Sequence, residues 1–206
     1  MGSDETTTRS TLTTAASMRV LAHPTRLRLL GLLRERGPQT AAMLGEVVDE
    51  APGTISYHLS KLASIDLIEP ADARSSDQRE RWWKATAELT SWEPAELLAD
   101  PAQLAASSVL QKSIAQAYAA RYSDYIDAMP ELPVEWVAAG ASGDRMLRLT
   151  VGELAEMRAE LEALVGRWLE TSARHDGASH DGALHDDSGH DGAQSVAVVY
   201  QAYRRP

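Results

Sequence analysis

Apolar residues recur at helical spacing in three stretches in the first third of the chain. The leucine-rich stretch Thr25–Arg36 lies between two start and stop signals, Pro24 and Gly37-Pro38, and predicts a helix. Paired apolar positions at 43–48 predict a short amphipathic helix, and the i, i+3, i+4, i+7 spacing within Gly53–Ile65 predicts another. Two short helices joined by a turn at Asp49–Pro52 are typical of a helix-turn-helix unit.

A predicted β-hairpin follows these helices. Leu67–Glu69 and Arg81–Lys84 have strand-like composition, and the polar segment Pro70–Glu80 joins them. A hairpin at this place is the wing of a winged helix-turn-helix domain. Trp82 and Trp83 alternate along the second strand, so we expect one side chain to pack inward and the other to face solvent.

The C-terminal part of the chain predicts two long helices and a small sheet. Asp100-Pro101 is a favourable start for the first helix, and the capping box Thr150–Glu153 begins the second. Strand composition occurs in three segments: Val134–Ala139 and Met146–Leu149, around a turn at Gly140–Asp144, and Val196–Tyr203.

The predicted class is therefore α+β, with three parts. Residues 1–10 are a polar N-terminus that we expect to be disordered, and residues 11–88 form a winged helix-turn-helix domain. Residues 93–206 form an α/β domain for dimerisation or effector binding, with two long helices and a small antiparallel sheet. A flexible loop is predicted at residues 174–193, which offer little to bury.

Charge and composition narrow the class of protein. The net charge is −10, but residues 16–88 carry ten basic and ten acidic side chains and are therefore neutral. The absence of cysteine excludes disulfides, thiolate metal sites and cysteine nucleophiles. The apolar stretches are too short to span a bilayer and the N-terminus has no apolar leader, so we expect a cytoplasmic protein without membrane contact.

The side chains expected to contact DNA lie on the polar side of the helix Gly53–Ile65 and on the wing. Hydroxyls, one aromatic ring and one lysine suit a helix in a major groove, whereas acidic groups, absent until Asp66, would repel phosphate. An ordinary solvated helix face is the alternative interpretation. The candidates are Thr54, Ser56, Tyr57, His58, Ser60 and Lys61 on the helix, and Arg74, Arg79 and Arg81 on the wing.

Three segments of this region carry a resemblance to a known family. LAHPTRLRLLGLL, PGTISYHLSKLASIDLIE and RERWWKAT resemble the DNA-binding domain of ArsR-type winged-helix regulators. The resemblance implies a homodimer that binds an inverted repeat of double-stranded DNA and represses transcription. It places Ser56, Tyr57, His58 and Lys61 on the recognition helix and Arg74–Arg81 on the wing. The C-terminal part resembles, more weakly, the companion domain of some actinobacterial members.

Histidines support an alternative function of a different class. His175, His180, His185 and His190 follow each other every five residues in an Asp- and Gly-rich tract, and imidazole suits Zn²⁺ or Ni²⁺. A metal-handling or metal-sensing protein acting through residues 175–191 is therefore the alternative. The sequence lacks the cysteine pairs of many metal-sensing ArsR-type proteins, so we expect no cofactor and no dedicated metal site.

Aromatic residues of the C-terminal part are candidates for a small-molecule effector pocket or for a dimer interface. They are Tyr118, Tyr122, Tyr125, Trp136 and Trp168. A buried core is the third interpretation of the same residues. No nucleophile–base pair, nucleotide loop or metal-hydrolase helix occurs, so we do not expect an enzyme.

Overall fold

The computed structural model describes residues 9–72, 80–91, 97–176 and 192–204. The helices are α1 Ala15–Leu21, α2 Pro24–Arg36, α3 Ala41–Val48, α4 Pro52–Ala63, α5 Pro101–Ala128, α6 Val134–Ala139 and α7 Val151–Asp176, with a short 3₁₀ turn at Met129–Glu131. The strands are β1 Arg9–Thr11, β2 Gln39–Thr40, β3 Ile68–Ala71, β4 Trp82–Ala85 and β5 Leu89–Ser91.

Local capping sets the bounds of the helices that lead to α4. Pro24 occupies the first turn of α2, and the Thr25 amide donates to Nδ1 of His23 at 3.2 Å. Thr40 caps α3 by accepting from the Met43 amide at 3.3 Å. Asp49 ends α3 in the left-handed region, with φ 58°, and turns the chain towards α4. The helix-turn-helix expected from the sequence is therefore confirmed in α3 and α4.

The wing belongs to a three-stranded antiparallel sheet in the order β2-β4-β3. The predicted hairpin is present, but the sequence pattern missed β2, which has only two residues. The expectation that one of Trp82 and Trp83 would face solvent is wrong, because both are buried. As β4 is the central strand, β2 and β3 pair with its two edges, whereas a free hairpin would leave one edge of this strand open.

A second, parallel pair joins β1 to β5, with Ser10 opposite Thr90. The sequence pattern predicted neither strand, and it assigned residues 1–10 to a disordered terminus. Arg9 and Ser10 lie in β1, which corrects that expectation at its C-terminal end, while residues 1–8 lie outside the described part of the chain. Backbone pairing of two distant segments has no local signature in the sequence.

The core lies between α1, α2, α4, the sheet and α5. Its fully buried side chains include Met18, Leu29, Leu33, Leu59 and Leu110. Leu110 belongs to α5, which packs along α1 and α2. The chain accordingly divides into two compact units, Met1–Leu132 and Pro133–Pro206, and the division lies later than the predicted junction at residues 88–93.

The second unit contains α6 and α7. Both long helices expected from the sequence are present, but α5 belongs to the first unit and only α7 to the second. The predicted small sheet is wrong for the described residues: 134–139 form α6, and 146–149 and 196–203 have no regular structure. Valine and tryptophan favour strands only where a neighbouring strand satisfies the backbone. In α6 the Val137 amide bonds locally to the Pro133 carbonyl at 3.2 Å instead.

None of the described helices is long and apolar enough to cross a membrane.

Gly45 leaves room for the turn between α3 and α4. A Cβ at this position would lie 2.6 Å from the Glu50 carbonyl oxygen. The Glu50 amide also donates a hydrogen bond to the Gly45 carbonyl at 3.1 Å. Because the obstructing atom belongs to the backbone, it cannot move without distorting the turn.

We therefore expect Gly45→Ala to lower the free energy of unfolding by about 1–3 kcal/mol, the usual cost of overpacking. Denaturant titration followed by circular dichroism measures it. Gly166→Ala in α7 is the matched control, because its Cβ would meet nothing within 4 Å. A glycine-to-alanine change in an open helix stabilises by up to about 1 kcal/mol. Equal stability of the two variants would contradict the role of Gly45.

Candidate nucleic-acid interface

One side of α4 is anchored in the core and the other is open to solvent. Ile55, Leu59 and Leu62 have no exposed surface. The opposite side exposes Thr54, Ser56, Tyr57, Ser60 and Lys61, which the sequence nominated as DNA contacts. No carboxylate occurs on α4 itself. The exposed side of this helix therefore carries hydroxyls, a phenol and one cation.

The N-terminus of α4 has no side-chain cap. Ala51 stands at the capping position, where serine or aspartate would accept a hydrogen bond from the first turn, and Pro52 follows it. The amides of Gly53 and Thr54 consequently keep their hydrogen-bonding capacity for an external acceptor. The positive end of the helix dipole adds to the attraction for an anion at this end.

The serine hydroxyls of α4 donate to carbonyls of their own helix. Ser56 Oγ donates to the Pro52 carbonyl and Ser60 Oγ to the Ser56 carbonyl, both at 2.8 Å. Their oxygen lone pairs remain open to donors such as the amino groups of bases. A phosphate oxygen can only accept, so a serine that contacts phosphate has to rotate out of its helical bond.

Tyr57 and Lys61 form one exposed unit on successive turns of α4. The Lys61 Nζ lies 5.6 Å from the centre of the Tyr57 ring, within the range of a cation–π contact. The Tyr57 side chain is 56% exposed and has no core role. Together the two side chains form an exposed pair of an aromatic ring and a cation on α4.

The His58 side chain projects from the core-facing side of α4 and not from its exposed side. Only 7% of its surface is accessible, and its ring centre lies 4.7 Å from that of His23. The sequence grouped His58 with the candidate DNA contacts, but its spacing from Ile55 turns it towards the core. Its Nδ1 atom is buried without a hydrogen-bond partner among the described residues. In this structure the His58 side chain is therefore part of the packing that holds α4 in place.

The wing adds a cation beside α4. Arg81 is exposed, and its guanidinium carbon lies 4.1 Å above the Trp83 ring, which holds the side chain in a defined place. Arg74 and Arg79, the other predicted wing contacts, lie outside the described residues.

A concave space of about 400 Å³ connects these elements. It lies between the first turn of α3, the exposed side of α4 and the wing. Its lining residues are Thr40, Ala41, Ala42, Ser56, Ser60, Glu80, Arg81 and Trp83. Of the candidate DNA contacts predicted from the sequence, Ser56 and Ser60 on α4 and Arg81 on the wing thus border one shared surface.

The candidate pocket aromatics are distributed over both units. Tyr118, Tyr122 and Tyr125 lie on α5 in the first unit, and the last two stack with ring centres 5.9 Å apart. Trp136 and Trp168 lie in the second unit and are 39% and 65% exposed. Such exposure is unlike that of residues enclosing a small ligand, and favours an interface.

The candidate metal ligands are mostly outside the described part of the chain. His175 is the penultimate residue of α7, while His180, His185 and His190 are not described. Among the described residues, no group of three or more His, Asp or Glu side chains is arranged to hold a metal ion.

The environment of His58 predicts a pH dependence of stability. Burial lowers the pKa of His58 below its ordinary value, and the neighbouring His23 and Arg26 lower it further. Glu50 acts in the opposite direction. In the unfolded chain the pKa returns to about 6.5. The unfolded state therefore binds the proton more readily, and stability falls as the pH drops below that value.

We expect the free energy of unfolding to decrease between pH 7.5 and pH 5, and to decrease less in His58→Gln. Urea titrations across this pH range measure both slopes. If His58→Gln and the wild type shared one slope, the burial of His58 would not be the cause.

A comparison with known protein families finds a match in the part of the chain that contains α4. A family profile described as a helix-turn-helix domain matches residues 21–71, which include α2, α3, α4 and β3. No curated protein matches the sequence significantly.

Several solved structures are similar to this chain, but loosely. A variant of ZitR from Lactococcus lactis in its apo form has 19% identity and a TM-score of 0.32, over 71% of this chain and 83% of its own. A possible transcriptional regulator for arsenical resistance has 26% identity and a TM-score of 0.30, over 62% and 98%. A MarR family regulator from Neisseria meningitidis has 19% identity and a TM-score of 0.28, over 76% and 78%.

The helix-turn-helix match and the β3–β4 hairpin together define the domain. The protein carries a winged helix-turn-helix domain, the DNA-binding module of many transcriptional regulators.

Proposed function

We propose that the protein is a cytoplasmic, ArsR-type transcriptional repressor that binds an inverted repeat of double-stranded DNA as a homodimer, and that it is not an enzyme. The observation that carries the proposal is α4, a helix anchored by three fully buried side chains whose solvent side has no carboxylate. The ArsR-type and repressor parts rest on the sequence resemblance.

In this proposal α4 lies in the major groove. Its 12 residues span about 18 Å, which suits a groove that admits one helix. Thr54, Ser56 and Tyr57 in its N-terminal half are best placed for base edges, since recognition helices present their N-terminal residues to bases. Lys61, one turn further on, reaches for the phosphate backbone.

The wing and the N-terminus of α4 supply the remaining phosphate contacts. Arg81 offers a guanidinium held over Trp83, beside the concave space that α3 and α4 share. The uncapped amides of α4 add donors that carry no sequence information. The acidic net charge of the chain does not oppose this, because residues 16–88 are neutral.

Two-fold symmetry follows from the homodimer. An isologous dimer presents two copies of α4, which requires two half-sites about 10 base pairs apart or a multiple of that spacing. Selection of bound fragments from a random DNA library tests this directly. Recovery of an inverted repeat supports the dimer, whereas a single unrepeated site or no enrichment contradicts it.

We expect Tyr57→Ala and Lys61→Ala to weaken DNA binding while folding stays intact. Losing a good base contact costs about 1–3 kcal/mol, equivalent to a roughly 5- to 150-fold rise in Kd. Losing a phosphate contact at Lys61 weakens binding to all sequences. It also lowers the slope of log Kd against log salt concentration by about one. Fluorescence titrations of the selected duplex at several salt concentrations measure both effects.

Lys112→Ala is the matched control for Lys61→Ala. It removes the same charge from an exposed position on α5, away from α4, and should leave the Kd within about twofold. Native circular dichroism in all three variants verifies folding. If Tyr57→Ala and Lys61→Ala bound as tightly as the wild type, α4 would not be the DNA-reading helix.

A further inference from the structure

The second unit contains a long helix with a strict seven-residue repeat. Along α7 five apolar side chains and one threonine follow each other at alternating intervals of three and four residues, the spacing of the two core positions of a coiled coil. We call this set the α7 stripe, and it comprises Leu154, Met157, Leu161, Leu164, Trp168 and Thr171.

The α7 stripe is incompletely covered. Leu164 is 42% and Trp168 is 65% exposed. Within the second unit, α6 is the other described helix, and it does not pack extensively along α7. A helix of 26 residues is about 39 Å long, and in water such a helix is stabilised mainly by burying its apolar side. The stripe therefore requires a partner of comparable length.

Charges beside the α7 stripe indicate which partner fits. On one flank, a charged residue occurs every seven positions, and its sign changes at the middle of the helix. Glu153 and Glu160 lie in the N-terminal half, and Arg167 and Arg174 in the C-terminal half. An identical helix running in the opposite direction would place each acidic half beside a basic half. The pattern is self-complementary only in that orientation.

The antiparallel register also matches the apolar layers. With the two-fold axis between Glu162 and Ala163, Leu161 faces the partner's Leu164, and Met157 faces the partner's Trp168. A flexible thioether beside an indole is a favourable contact. A parallel pair would instead place the two Trp168 rings in one layer, which is more crowded.

Interactions within α7 also favour the antiparallel orientation. In a parallel pair, the flanking contact with opposite charges would be Glu153 with the partner's Arg158. Arg158 already pairs with Glu162 of its own helix, with 3.5 Å between Nε and Oε1. Glu153 is engaged as well, because its carboxylate accepts from the Thr150 amide at 2.7 Å and closes the capping box. A parallel pair is then left without a flanking contact between opposite charges. The antiparallel pair retains its central one, Glu160 with the partner's Arg167, even while Glu153 is held by the capping box.

Glu160 and Arg167 are the central pair of the antiparallel arrangement. Both are exposed, and neither forms a salt bridge within the described residues. Two-fold symmetry brings Glu160 of each protomer to Arg167 of the other, so the contact occurs twice. In coiled coils such flanking pairs decide partner and orientation more than they decide stability.

We propose that α7 forms the dimer interface by pairing with α7 of a second copy of this chain, as an antiparallel two-helix coiled coil with reciprocal Glu160–Arg167 ion pairs. This deepens the homodimer part of the proposed function. The arrangement depends on the α7 stripe and its flanking charges, and does not depend on what α4 binds.

Charge exchange in the full-length chain tests the pairing. Glu160→Arg places like charges beside the partner's Arg167, and Arg167→Glu does the same with acids. We expect each variant alone to dimerise about tenfold more weakly in sedimentation experiments. An equimolar mixture of the two variants restores opposite charges in both contacts, and should form heterodimers with nearly wild-type affinity.

Glu156→Arg is the matched control, because this position lies away from the stripe and its flanks. It should dimerise like the wild type. Unchanged dimerisation of both single variants, or a mixture no tighter than the variants alone, would overturn the reciprocal contact. A monomeric wild-type protein at micromolar concentration would overturn the interface altogether.

Spin labels determine the orientation independently of charge. The natural sequence has no cysteine, so Ala159→Cys and Ala173→Cys each introduce one label per chain on the outward side of α7. In the antiparallel pair the two labels at position 159 are offset by about 10 Å along the axis, and those at 173 by about 30 Å. Equal distances at both positions would show a parallel pair and overturn the proposal.

DNA binding is measured on the same variants, which separates the two proposals. The α7 charge variants should lose affinity for a two-half-site duplex and keep their weaker affinity for a half-site. If the wild-type protein dimerised through α7 but bound no DNA, only the DNA-binding proposal would fail. If it bound an inverted repeat while the α7 variants behaved as wild type, only the α7 interface would fail.

Discussion

Ile55, Leu59 and Leu62 of α4 are completely buried, and their packing fixes the rotation of this helix about its own axis. Because the three positions lie on one side of the helix, every residue on the other side must face solvent. The exposure of Tyr57 and Lys61 is a consequence of that anchoring. A helix held this firmly can present its side chains to another surface without losing their arrangement.

The surroundings of α4 depend on the same anchoring. Gly45 permits the tight turn that leads the chain to Pro52, and β3 packs against α4. α5 covers α1 and α2 with Ala106 and Leu110, two side chains that leave almost no exposed surface. The long helix that follows the wing is thus part of the domain that supports α4, although it is distant from α4 in sequence.

The second unit follows a different physical logic. In the first unit α4 buries its apolar side within the chain, whereas α7 exposes Leu164 and Trp168 along a stripe whose flanking charges change sign at the middle of the helix. An exposed apolar stripe of this length costs solubility unless another surface covers it. The first unit therefore holds α4 in place, and the second carries the surface that we assign to dimerisation.

The sequence by itself determined the helices, because apolar spacing, Pro24 and Asp100 act within a few residues of the bonds they control. It also determined the polar side of α4, since three apolar positions on one side leave the rest to solvent. Only the tertiary structure decided that His58 packs under α4 against His23, which lies 35 positions earlier in the chain. The same holds for β1, β2 and β5, whose few residues become strands only through distant partners. In 134–139 strand composition gave way to a helix, because in this structure the backbone finds its hydrogen-bond partners within the segment.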